Sequence, residues 1–136
     1  MTKLAFLGLG VMGFPMARHL VNNGNDVVVY NRTRTKAEKF SANFKTKIAD
    51  SPAEAAKNAD FVFACVGDDS DLKEITVSEY GAFNTMKPGS LFIDHTTTSA
   101  AIARDMSEDA KNRKIGFLDA PVSGGQAGAE NGKLTI

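Results

Sequence analysis

A chain of 136 residues is long enough for one domain with one sizeable core. Lys+Arg and Asp+Glu both number 16, so the formal net charge is zero and no basic surplus points to nucleic acid or an anionic membrane. The single cysteine, Cys65, excludes an intramolecular disulfide, and no apolar run approaches a membrane span or a signal peptide, which makes a cytoplasmic protein the expectation.

Apolar runs and helix-patterned stretches alternate along the chain. Leu4 to Leu7 is short and unbroken and reads as a buried parallel strand. Gly8-Leu9-Gly10-Val11-Met12-Gly13 follows directly, and Met12, Met16, Ala17, Leu20 and Val21 then recur at helical spacing until Gly24. Pro15 removes a hydrogen bond or bends the first turn, so this helix should start irregularly. Val27 to Tyr30 is a second strand, Thr35 to Asn43 a second helix, and Thr46 to Ala49 a weak third strand. Ser51-Pro52-Ala53-Glu54 combines an N-cap, a proline at the first helical position and a glutamate at the third.

Phe61 to Val66 is a fourth strand, and it places Cys65 as a buried strand residue. Asp71 to Val77 is helical. Lys87-Pro88-Gly89 is a turn, Ser90 to Ile93 a fifth strand and Ala100 to Arg113 a helix with Ile102, Ala103, Met106 and Ala110 on one side. Gly116 to Leu118 is a sixth strand, and Leu134 to Ile136 begins a seventh. This alternation predicts an α/β fold of Rossmann type, doubly wound, with a mainly parallel sheet and helices on both faces.

Four blocks carry chemistry. Gly8, Gly10 and Gly13 follow the G-x-G-x-x-G spacing between a strand and a helix. That context suits a tight turn, close approach to a pyrophosphate, and tight helix packing. A diphosphate there meets the free N–H groups and positive end of the helix. The second strand then runs into Asn31-Arg32-Thr33, where such folds read the adenosine ribose. Asn31 brings no charge to repel a 2′-phosphate. Arg32 and Thr33 suit a phosphate, and Lys36 adds charge, so NADP(H) is preferred and NAD(H) remains possible. The plainer alternative is that Arg32 and Lys36 only solvate a loop.

Val66-Gly67 and Asp94-His95-Thr96-Thr97 end the fourth and fifth strands, where parallel sheets bind ligands. Asp94 could instead cap the following helix. His95 sits at the right end of the sheet to be an acid–base group. Asp119 to Gly125 follows the sixth strand. Ser123 with the N–H groups of Gly124 and Gly125 could form a small anion nest, or a flexible glycine turn.

The stretch Leu7 to Leu20 resembles the signature of the β-hydroxyacid dehydrogenases. That family includes 3-hydroxyisobutyrate dehydrogenase, tartronate semialdehyde reductase and glyoxylate/succinic semialdehyde reductase. The resemblance continues through Asn31-Arg32-Thr33, Asp94 to Thr97, and Asp119 to Ile136. It implies that Gly8, Leu9, Gly10, Val11, Met12 and Gly13 hold the pyrophosphate. Asn31, Arg32 and Thr33 match the NADP-using pattern. Val66, Gly67 and Thr97 would line the inner half of the cofactor, and Ser123, Gly124 and Gly125 would hold a small carboxylate-bearing substrate. The implied activity is hydride transfer between NADP(H) and a small 3-hydroxy or 2-hydroxy acid or its semialdehyde.

The family's catalytic lysine lies beyond Ile136, ahead of an all-helical second domain. The chain is therefore expected to be the N-terminal cofactor-binding part of an enzyme that is a homo-oligomer at full length. No metal is implied. An imine reductase shares the nucleotide half, but Pro121-Val122-Ser123-Gly124-Gly125 argues against that alternative. A non-catalytic NADP-binding module is the alternative from a different class.

Overall fold

The computed structural model of the chain describes residues 2–136. Six strands form one sheet: β1 (Lys3–Leu7), β2 (Asp26–Tyr30), β3 (Lys47–Ile48), β4 (Phe61–Ala64), β5 (Leu91–Asp94) and β6 (Gly116–Asp119). Their order is β3-β2-β1-β4-β5-β6 and every ladder is parallel. The chain builds outward from β1 to one edge and then returns to build the other side. The reversal opens a crevice at the carboxyl ends of β1 and β4, where doubly wound sheets take ligands.

Strand β1 shows why both faces are covered. Side chains alternate across a strand, so Leu4 and Phe6 face one layer while Ala5 and Leu7 face the other, and all four are buried. The Leu4/Phe6 side packs on α1 (Gly13–Asn22) and α2 (Arg34–Phe44) through Ala17, Ala37 and Phe40. Phe14 meets Phe40 edge-on at 4.9 Å between centroids, which locks those two helices together. The Ala5/Leu7 side packs on α3 (Pro52–Ala56), α4 (Asp69–Thr76), a 3-10 turn (Ala82–Asn84) and α5 (Ala100–Asn112), with Leu72, Phe83, Ile102 and Met106 as the larger contributors.

Most predicted ends move by a residue or two, as frayed boundaries do. The expected cap of α3 is present: Ser51 Oγ accepts the Glu54 N–H at 3.0 Å, and the Glu54 carboxylate accepts the Asp50 N–H at 2.6 Å. The irregular start of α1 is present as well. Phe14 N–H bonds the Gly10 carbonyl at 3.0 Å and Met16 N–H the Met12 carbonyl at 3.4 Å, and Pro15 leaves a gap between them.

Two expectations are corrected. Leu134 to Ile136 does not begin a seventh strand of the sheet. Thr135 instead folds back and exchanges two 2.9 Å backbone bonds with Ser123 in a single antiparallel bridge. The glycine-rich stretch after the sixth strand is not an open turn alone, since Gly125–Glu130 forms a short helix, α6. Its sequence carries no apolar period. The helix forms because α1 holds its end: His19 Nε2 donates to the carbonyls of Ala129 (2.9 Å) and Glu130 (3.1 Å), and Arg18 donates to Glu130 at 2.7 Å.

Candidate functional site: a cleft at the carboxyl end of the sheet

An open cleft of about 410 Å³ lies where the sheet order reverses. Its floor is the turn from β1 into α1. Gly8 has φ +100°, and a Cβ there would sit 2.2 Å from the Cys65 carbonyl oxygen. A Cβ on Gly13 would sit 2.0 Å from the Gly8 carbonyl oxygen. The protein's own packing therefore demands both glycines. Gly10 differs, because a Cβ there would meet nothing within 4 Å. The space above Gly10 belongs to the cleft. Among the described residues, the backbone N–H groups of Gly10, Val11 and Met12 have no acceptor in the chain.

Gly8, Gly10, Val11, Met12 and Gly13 all line this cleft. Leu9 does not. Its side chain is buried among Phe6 and Ala17, and its N–H is taken at 2.8 Å by the Asn31 side-chain oxygen. Asn31 also donates to the Thr33 carbonyl at 2.9 Å. Both ends of that amide are thus committed to holding the glycine turn against the end of β2.

Asn31, Arg32, Thr33 and Lys36 line the far end of the same cleft. Thr33 is the N-cap of α2, yet its side chain makes no capping bond, so the hydroxyl is free to face a ligand. The Arg32 side chain is 69% exposed, and its guanidinium reaches Asp71 and Glu74 on α4.

Val66 and Gly67 line the opposite wall beside Cys65. Burial, with the Asp94 carboxylate as a second cause, pushes the Cys65 thiol up to about 11. The thiol is therefore neutral in ordinary buffers and unsuited to nucleophilic work. Thr96 supports this wall. It is buried, its hydroxyl oxygen accepts the Val66 N–H at 3.0 Å, and its own N–H bonds Asp94 Oδ1 at 3.0 Å. Asp94 is thereby a turn-forming side chain and not a helix cap. The cap of α5 is Ser99, which accepts the Ile102 N–H at 3.2 Å. Burial raises the Asp94 carboxyl above the ordinary range, against the pull of its Thr96 bonds.

Thr97, Ser123, Gly124 and Gly125 lie outside the cleft and are exposed. The Ser123 N–H bonds the Thr135 carbonyl, and the N–H groups of Gly124 and Gly125, on which the expected nest depends, have no acceptor among the described residues. His95 is buried. Its Nδ1 lies 2.7 Å from the Ala120 carbonyl, and its ring stacks on Phe63 at 6.0 Å. A carbonyl only accepts, so Nδ1 carries the proton and ties the end of β5 to the end of β6. No group of three or more His, Cys, Asp or Glu side chains suited to a metal occurs among the described residues. No helix of those residues is long and apolar enough to cross a membrane.

Sequence reasoning missed Asp71 and Glu74, and it placed Thr96 at the end of the fifth strand without its bond to Val66. Their positions follow from where α4 and the β5 loop land, and no spacing rule marks them.

Comparison with known proteins agrees with this geometry. The family described as the NAD binding domain of 6-phosphogluconate dehydrogenase matches residues 3–136. An uncharacterized oxidoreductase of Shewanella frigidimarina is 54% identical over 100% of this chain and 47% of that protein. A solved Mycobacterium tuberculosis 3-hydroxyisobutyrate dehydrogenase with L-serine superposes with a TM-score of 0.91 at 34% identity, over 98% of this chain and 45% of that one. An imine reductase of Myxococcus stipitatus in complex with NADP+ gives a TM-score of 0.82 at 25% identity, over 93% of this chain and 43% of that one. The chain thus spans about half the length of the curated relatives it matches. The cradle at Gly10, the parallel order of the sheet and the full-length family match all agree: this chain is a nicotinamide-dinucleotide-binding domain and belongs to the family of the NAD binding domain of 6-phosphogluconate dehydrogenase.

Proposed function

We propose that this chain is the cofactor-binding part of an NADP(H)-dependent oxidoreductase acting on a small 3-hydroxy or 2-hydroxy acid or its semialdehyde. The observation that carries the reading is Gly10. Nothing in the protein requires that glycine, and its side-chain space opens into the cleft beside three unpaired N–H groups. This is the cradle a pyrophosphate fits. Arg32, Thr33 and Lys36 then stand at the adenosine end with donors for a 2′-phosphate.

When bound, the nicotinamide gives or takes a hydride at its ring. The chain's own residues do the rest of the positioning. Val66 and Gly67, braced by Thr96, shape the wall along which the inner half would lie, and exposed Thr97 adds a hydroxyl at that end of the sheet. The free N–H groups of Gly124 and Gly125, beside Ser123, are suited to a substrate carboxylate. The resemblance assigns proton transfer to a lysine with no counterpart in this sequence, so that step is left to residues outside it. Reduction is the favoured direction, because NADPH usually serves it. The complete enzyme would be homo-oligomeric.

Similarity to a 3-hydroxyisobutyrate dehydrogenase exceeds that to an imine reductase, at 34% against 25% identity. Pro121 to Gly125 also favours the hydroxy acid. Side-by-side calorimetric titration with NADPH and NADH, of the protein and of Arg32→Ala, tests the cofactor reading. Tighter NADPH binding that is lost in Arg32→Ala is the expected result. Binding of neither dinucleotide, or a preference for NADH, overturns it.

A further inference from the structure

Arg32 is ion-paired across the cleft. Its Nη1 lies 3.1 Å from Asp71 Oδ1 and 3.5 Å from Glu74 Oε2. The two carboxylates are three residues apart on α4 and therefore share one helix face. That face looks across the cleft at the end of β2, and all three side chains line it.

Asp71 lies in the first turn of α4, where its charge suits the helix dipole, and has no hydrogen-bonding duty to its own helix. The N-cap of α4 is Asp68, which accepts the Asp71 N–H at 2.9 Å. Asp69 is taken by Ser99, whose N–H and hydroxyl it accepts at 2.9 and 2.6 Å. The Asp71 carboxylate accepts a hydrogen bond from Arg32 alone among the described residues. It also leans over the strand end, since a Cβ on Gly67 would lie 2.4 Å from Asp71 Oδ2. Glu74 is felt nearby too: after burial, its charge is the next cause that raises the Tyr30 hydroxyl.

The charges at this end of the cleft therefore cancel. Arg32 and Lys36 bring two positive charges, and Asp71 and Glu74 bring two negative ones. A ribose 2′-phosphate seeking Arg32 has to displace both carboxylates and then remain beside them. A bare ribose hydroxyl donates to a carboxylate and meets no such opposition.

We propose that Asp71 and Glu74 are specificity-determining residues that hold Arg32 against α4 and lower the preference for a phosphorylated over an unphosphorylated dinucleotide. The inference rests on the cleft being the dinucleotide site with its adenosine end at Arg32. The pair acts partly through Arg32, so the informative readout is the NADPH-to-NADH affinity ratio. A merely structural role would not move that ratio.

The test is calorimetric titration of the protein and of Asp71→Asn, Glu74→Gln and the double variant. Glu108→Gln, exposed on α5 away from the cleft, makes the same charge change as a control. The double variant should tighten NADPH about three- to tenfold and NADH less than about twofold, the scale of partly exposed charge pairs. Glu108→Gln should change neither. Glu74 is half exposed, so Glu74→Gln alone still carries the test should Asp71→Asn disturb α4. An unchanged ratio, or weaker NADPH binding in the double variant, overturns the inference while the site reading stands. Failure of the unaltered protein to bind either dinucleotide overturns the site reading and this inference together.

Discussion

The side-chain oxygen of Asn31 accepts the backbone N–H of Leu9 at 2.8 Å across 22 positions of sequence. The bond fastens the glycine turn to the end of β2, and so fixes the distance between the proposed pyrophosphate cradle and the proposed adenosine end. Asn31→Ala leaves the Leu9 N–H unpartnered, at a cost of about 1–2 kcal/mol for a partly buried donor. Dinucleotide affinity should fall about tenfold or more as the turn loosens. Chemical denaturation beside calorimetric titration checks both effects. Unchanged affinity would show that the turn holds its shape without the bond.

Gly10 and Gly13 separate binding from folding. Gly10→Ala meets no atom of the protein within 4 Å, so stability should hold or rise by about 0.5 kcal/mol. Dinucleotide binding should fall steeply. Gly13→Ala drives a Cβ to within 2.0 Å of the Gly8 carbonyl oxygen, and should lose about 2 kcal/mol or more of stability. Thermal melts with and without NADPH distinguish the two variants. A strongly destabilised Gly10→Ala would contradict the open space above that residue.

The Cys65 thiol should be silent in the folded protein. Burial first and Asp94 second raise it from 9.0 to about 11. The sign follows from linkage. A group whose folded pKa lies above its unfolded value contributes stability that is fully present below pH 9, and that is lost as pH rises toward about 11. Reaction with a thiol reagent at pH 8 should therefore be slow in the native protein and rapid in denaturant. Equal rates would place the thiol at the surface.

His19 should matter locally. His19→Ala removes the donor to the last carbonyls of α6, worth about 1 kcal/mol. Amide exchange at Gly128 and Asn131, both bonded within α6, should accelerate while exchange in the sheet does not. Uniform acceleration across the chain would mean that α6 and the sheet open as one unit.

How much was legible in the sequence depends on the range of the forces involved. The strands, the helices, the α3 cap and the gap at Pro15 are local, written in alternation, period and capping chemistry within a few residues of each other. The glycine fingerprint was legible for the same reason, because strand, turn and helix are contiguous. The same spacing assigned Gly8 to a turn, Gly10 to close approach and Gly13 to helix packing. The atoms that enforce the first, the Cys65 carbonyl above all, lie far along the chain and are placed only by the tertiary structure.

Helix α6 has no counterpart in the sequence reading, because six residues without an apolar face carry no helical signal. The approach of His19 and Arg18 from α1, more than a hundred positions away, holds its end. The same holds at the end of the cleft proposed to take the adenosine. Composition and spacing determined that Arg32 and Lys36 follow the second strand. The tertiary structure alone decided that Asp71 and Glu74 face them, because the parallel order of β1, β2 and β4 carries α4 across the cleft. Periodicity reports which face of an element is apolar, whereas a field between charges depends on distance in space, and that distance exists only once the sheet is assembled.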